Sequence, residues 1–94
     1  MIAVEYAPAF LRQFKKLPAE LQKEAQGKIA LFKNRSNHRQ LEVHKLKGKL
    51  AGKWSFSVNY RDRIVFKWLS DDAAGLSRRV KAGLLAIGDH DVYK

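Results

Sequence analysis

The stretch WSFSVNYRDRIVFKW, from Trp54 to Trp68, decides how this chain folds. Trp54, Phe56 and Val58 alternate with Ser55, Ser57 and Asn59, the period-two pattern of a strand with one buried face. Tyr60-Arg61-Asp62 interrupts the pattern, and Arg63 to Trp68 (RIVFKW) reads as a second strand. Adjacent strands joined by so short a turn are antiparallel. Downstream, Leu69 to Ser77 (LSDDAAGLS) is a polar, glycine-containing turn, and Val80 to Ile87 (VKAGLLAI) is a third, more buried strand. If these strands pair in order, the start of the second opposes the end of the third, which brings Arg63 towards His90.

Upstream of the stretch, Ile2 to Tyr6 (IAVEY) alternates weakly and suits a short first strand. Pro8 stands where a helix can begin, and Phe10, Phe14 and Leu17 recur at helical spacing, predicting a helix over Ala9 to Lys16. Pro18 suits the first turn of a second helix. Leu21, Ala25, Ile29 and Phe32 form one apolar stripe along it, ending near Asn34. A helical hairpin of this kind must bury its stripe, and the sheet is what it buries it on. Residues Arg35 to Lys53 are rich in Lys, Arg, Gly and His and read as a long surface connection, a place where function tends to concentrate. The expected fold is α+β: an N-terminal strand and a helical hairpin packed on a mostly antiparallel sheet of about four strands. One domain spans residues 1–94, and the second sheet face is left concave and basic.

The composition fits such a domain. At 94 residues and 46% hydrophobic, the chain can build a core without metal or disulfide staples. The absence of cysteine excludes disulfides and thiolate metal sites. No basic-then-apolar leader pattern and no apolar run of membrane-spanning length is present, so a cytoplasmic protein with no membrane partner is expected. The charge is the strong signal. Nineteen Lys and Arg stand against nine Asp and Glu, a net of +10. The excess is uneven: Arg35 to Lys67 holds 9 basic and 2 acidic residues, whereas Trp68 to Lys94 balances at 4 and 4. A biased positive field of this kind selects a polyanion, and a surface that served solubility alone would need no bias.

Three histidines are present. His38, in the polar stretch NRSNHRQ, reads as a solvated loop residue. His44 precedes the sheet and His90 follows the last strand. They lack metal-ligand spacing, so no metal and no cofactor is expected. Ser55 and Ser57 sit on a strand with no turn to expose a nucleophile. Metal-free RNA cleavage suits these residue types. Its nucleophile is the substrate's own 2′-hydroxyl, and the protein must move two protons and neutralise charge on the phosphate. Histidine titrates near working pH, and arginine and lysine supply fixed positive charge. His44, His90, Arg61, Arg63, Lys45, Lys47 and Tyr93 offer these groups. Tyr93 has two readings, an aromatic that pins the end of the chain or a base-stacking residue. Asp89 and Asp91 either orient His90 and raise its pKa or are simply solvated. Asp62 reads as a turn residue that can orient a guanidinium of Arg61 or Arg63. Trp54 and Phe56 read as core.

With this element order, the HKLKG stretch (His44 to Gly48), the strand NYRDRIVF (Asn59 to Phe66) and the ending IGDHDVY (Ile87 to Tyr93), the chain resembles the RelE/ParE toxin superfamily of bacterial toxin–antitoxin modules. The resemblance covers nearly the whole chain. It implies a toxin held inactive by an acidic antitoxin, with the pair able to bind operator DNA. Many members cut messenger RNA on the ribosome, whereas the ParE branch poisons DNA gyrase. Arg63 and Tyr93 match the catalytic arginine and tyrosine of RelE, but Trp54 and Phe56 stand near where RelE carries lysines. The YafQ and YoeB branches, which use histidine, are more similar. The YafQ-like pattern falls on His44 before the Leu-x-Gly turn, on Asp62 in the hairpin and on His90. The resemblance thus implies a ribosome-dependent endoribonuclease, with His90 and His44 transferring protons, Arg63 stabilising the phosphate and Tyr93 orienting the substrate. Arg61, Lys45, Lys47, Lys49 and Lys53 then dock RNA. A gyrase inhibitor, or a degenerate toxin acting only with its antitoxin in operon repression, is the alternative.

Overall fold

A computed structural model describes residues 1–71 and 79–89. The elements run β1 (Ala3–Tyr6), α1 (Pro8–Lys15), α2 (Ala19–Phe32), β2 (His44–Lys45), β3 (Trp54–Ser57), β4 (Arg63–Asp71) and β5 (Arg79–Gly88). They form one sheet in the order β1-β5-β4-β3-β2. β1 is parallel to β5, and the other pairings are antiparallel. This is the expected α+β architecture.

The helices start where proline allows it. Pro8 opens α1 at a position whose missing N–H costs nothing, and Pro18 is the residue on which α2 begins. The Gln22 side chain donates to the Phe14 carbonyl at 3.0 Å and locks the hairpin's corner. The hairpin then buries Phe10, Ala25, Ile29 and Phe32 against Phe56, Ile64, Phe66, Ala82, Leu84 and Ile87. Phe32 is the centre. Its ring stacks on Phe56 at 4.5 Å and meets Phe66 edge-on at 4.8 Å. Since Phe66 and Trp68 both reach Phe32, one face of β4 is covered by the hairpin. Among the described residues, no helix is long and apolar enough to cross a membrane.

The structure departs from the sequence reading in four places. The sheet has five strands, because the segment read as a connection contributes β2. That segment runs back along β3: the Ser57 N–H donates to the Leu41 carbonyl and the Leu46 N–H to the Lys53 carbonyl. Gly48 and Gly52, with φ of +70° and +89°, make the reversal between them, a conformation that side chains with a Cβ resist. Second, β3 does not alternate cleanly: Ser55 is as buried as Phe56, and the strand ends at Ser57, leaving Val58 in the turn. Third, β4 continues past Trp68 to Asp71, and β5 runs from Arg79 to Gly88. Fourth, His38 is not a solvated loop residue. Its ring stacks on Phe32 at 4.9 Å, and Nε2 lies 2.7 Å from the Phe32 carbonyl.

Candidate functional site

Cross-strand partners share a face of the sheet. Trp54, Phe56, Ile64 and Phe66 turn to the helices, so the residues between them turn the other way. Register then builds the second face row by row. Ser57 opposes Arg63, and Arg63 opposes Gly88. His44 opposes Ser55, Ser55 opposes Val65, and Val65 opposes Ala86. His44, Ser55, Ser57, Arg63 and Val65 therefore lie on one face. The predicted opposition of the start of β4 and the end of β5 holds at Arg63 and Gly88. His90 and Tyr93, together with Asp91, lie outside the described residues.

Arg63 is half-buried and aimed by its own turn. Asn59 accepts from the Arg61 and Asp62 N–H groups through Oδ1, at 2.9 and 2.7 Å, which closes an Asx turn. Arg63 Nη1 donates to the Asn59 carbonyl and, at 3.1 Å, to the Asp62 carbonyl. One nitrogen of the fork is thus used for holding, which leaves Nε and Nη2 as donors for an anion. The turn is also tied to α2, where Asn59 Nδ2 donates to Glu24 Oε1 at 2.8 Å. Asp62 is 5% exposed, and its carboxylate is closer to Arg61, with Nε 3.7 Å away, than a solvated turn residue would need. What Arg63 takes from Asp62 is the main-chain carbonyl.

His44 is exposed on the edge strand. Its Nδ1 lies 2.8 Å from the Glu42 carbonyl. A carbonyl only accepts, so Nδ1 carries the proton and Nε2 is the ring's acceptor. Two strand spacings, about 10 Å, separate the His44 backbone from β4. Just before β2 in the chain stands Glu42, which the sequence reading missed. Glu42 has φ of +57°, the left-handed region that a residue with a Cβ occupies at a cost. Its Oε1 accepts from the Ser57 hydroxyl at 3.1 Å. Ser57 is the residue opposite Arg63, so a carboxylate, a hydroxyl and a guanidinium follow one another across the sheet. The sequence did carry a signal for Glu42: it is the lone acidic residue between Arg35 and Arg61.

Basic residues stand on the edge strand β2, in the turn after it and in the β3–β4 turn; by register Lys45 shares the face of Trp54, opposite to that of His44. Lys45, Lys47 and Lys49 are exposed on β2 and in the turn after it, Lys53 is half-buried, and the Arg61 side chain is 66% exposed. The arrangement sets an imidazole, a hydroxyl and a held guanidinium on one sheet face, with exposed cations on the adjoining edge strand and turns. An apolar groove of about 270 Å³, lined by Tyr6, Phe10, Leu11, Phe14, Ile29 and Ala30, lies apart from it on the hairpin.

No family model matches the sequence, and no curated protein is similar enough to match it. Solved structures do match over nearly the full length. The fold is similar to a chain of the DinJ–YafQ toxin–antitoxin complex from Escherichia coli, at 16% identity and a TM-score of 0.68, covering 97% of this chain and 94% of that one. It is similar to a chain of the YoeB–YefM complex from Staphylococcus aureus, at 15% identity and 0.66, covering 96% and 98%. A chain of the RelBE2 toxin–antitoxin complex from Mycobacterium tuberculosis matches at 19% identity and 0.65, covering 95% and 98%. The architecture is that of the RelE, YoeB and YafQ toxin structures.

Proposed function

We propose that this protein is the toxin of a type II toxin–antitoxin pair and that it cuts messenger RNA on the ribosome through attack by the substrate's 2′-hydroxyl. The observation that carries the reading is the row Glu42–Ser57–Arg63 with His44 on the same sheet face. Each step of such a cleavage has a group to serve it. Arg63 offers Nε and Nη2 to the phosphate, and a fork already held by two carbonyls loses little freedom on binding. His44, whose Nε2 is an acceptor, takes or returns a proton, and Glu42 orients that ring through its main-chain carbonyl while its carboxylate accepts from the Ser57 hydroxyl. His90 is the partner in proton transfer and Tyr93 orients the substrate. Asp62 serves by holding the turn from which Arg63 projects. Lys45, Lys47, Lys49, Lys53 and Arg61 neutralise the RNA backbone. The solved relatives in complex with antitoxins support an acidic antitoxin as the partner in the cytoplasm, covering a surface of net charge +10.

The test is cleavage of a translated messenger by purified ribosomes with the product ends identified. A 2′,3′-cyclic phosphate end is expected from wild type. His44→Ala, Arg63→Ala and His90→Ala are each expected to lower the rate by at least about 100-fold. Trapped, cleaved plasmid in a gyrase assay, with translation unaffected, would instead assign the protein to gyrase inhibition.

A further inference from the structure

Besides the Glu24–Asn59 tie, the helical hairpin reaches the candidate site through a carboxamide of α1. β1 runs beside β5 only from Lys81 to Leu84, and the ladder closes where the Ala7 N–H donates to the Leu84 carbonyl at 2.9 Å. β5 continues to Gly88, and among the described residues no strand pairs with it along that edge. The Ile87 N–H, which would otherwise be orphaned there, donates to Gln13 Oε1 on α1 at 2.9 Å. A glutamine side chain thus takes over where the strand stops. It does so beside a register shift, between Val65 and Phe66 of β4, that loosens the ladder on the other edge of β5. Ile87 opposes Ile64 and Gly88 opposes Arg63, so the clamped residue is next to the one that flanks the guanidinium. His90 follows two residues later in the chain.

We propose that Gln13 is a positioning residue: its side-chain carbonyl fixes the end of β5, and through it the register that sets Gly88 opposite Arg63. The inference deepens the RNA-cleavage reading and rests on it for its catalytic consequence. Gln13 itself touches no reacting atom. A lost clamp therefore lowers turnover, not substrate binding.

Two variants separate the clamp from general stability. Gln13→Leu fills similar space and accepts nothing, whereas Gln13→Glu keeps an acceptor at the same reach. Gln13 is exposed on α1, so both variants are expected to fold. In Gln13→Leu the Ile87 amide should exchange on the order of 10-fold faster, with the Gly88 and Asp89 amide resonances displaced. The kcat of ribosome-programmed cleavage should fall on the order of 10-fold with KM unchanged. Gln13→Glu should restore both. Wild-type exchange at Ile87 in Gln13→Leu overturns the proposal, as does a Gln13→Glu variant equally impaired, or a loss confined to KM. If the wild-type protein cuts no RNA, the functional reading fails, and the clamp still stands or falls on Ile87 exchange.

Discussion

Single residues show how much of the candidate site is held by main-chain groups. Arg63 is the clearest case. One nitrogen of its guanidinium holds the carbonyls of Asn59 and Asp62 while two others remain for an anion, a division that lysine's single nitrogen does not offer. On the proposed function, Arg63→Lys keeps the charge and loses the aim, and is expected to cut RNA about 100-fold more slowly with little change in Tm, as single-turnover kinetics and thermal unfolding would measure. His38 lives at the same scale. Burial against Phe32 and Trp68, and the nearby Arg35, outweigh its hydrogen bond to the Phe32 carbonyl and lower its pKa from the ordinary 6.5. The folded state therefore prefers neutral His38. That contribution to stability is complete above pH 6.5 and is lost as pH falls through the folded pKa. The Tm advantage of wild type over His38→Phe should shrink between pH 7.5 and pH 5; an advantage that grows on acidification would overturn the assignment. A histidine in a polar run gave no sign of this, because the aromatic wall it meets is assembled from α2 and β4.

Among the elements, the connection from α2 to β3 carries more than its composition suggests. Its glycines and lysines marked it as functional surface. Its return along β3, the strained Glu42 and the short strand at His44–Lys45 were not legible, since a two-residue strand has no period to read. The left-handed turn at Gly48 and Gly52 is expected to resist a Cβ. Gly52→Ala should cost about 1–2 kcal/mol in chemical denaturation, from backbone strain alone, as open space surrounds the site. The same turn presents Lys47 and Lys49 beside Lys45. Replacing all three by glutamine should weaken single-stranded RNA binding and flatten the dependence of log K on log salt by about 2, if each lysine neutralises one phosphate. An unchanged slope would place the RNA elsewhere.

For the whole molecule, Phe32 is the point where the two layers meet. It is fully buried and contacts Phe56, Phe66, Trp68 and His38 with its ring. Phe32→Ala should cost about 3–5 kcal/mol, a large share of the roughly 5–14 kcal/mol that a domain of 94 residues holds, and urea unfolding would show it. The loss should also reach activity, because the hairpin is tied to both arms of the site. Asn59 joins Glu24 of α2 to the turn that holds Arg63, and Gln13 of α1 joins the end of β5. The layer on one face of the sheet thereby determines the shape of the other.

The amino-acid sequence by itself determined the layers. Period-two runs from Trp54 and Arg63 and the stripe from Leu21 to Phe32 encode strands and helix locally, and the short turn between the two strands leaves antiparallel pairing as the only choice. It also determined the basic bias and the approach of the start of β4 to the end of β5. Tertiary structure alone decided that β1 lies parallel beside β5, that Ser55 is buried, that Glu42 reaches Ser57, and that Gln13 meets Ile87 across 74 residues of chain. The physical reason is common to all four. Each depends on register and on where an element stops, and these follow from summed packing over the whole sheet, which no local pattern contains.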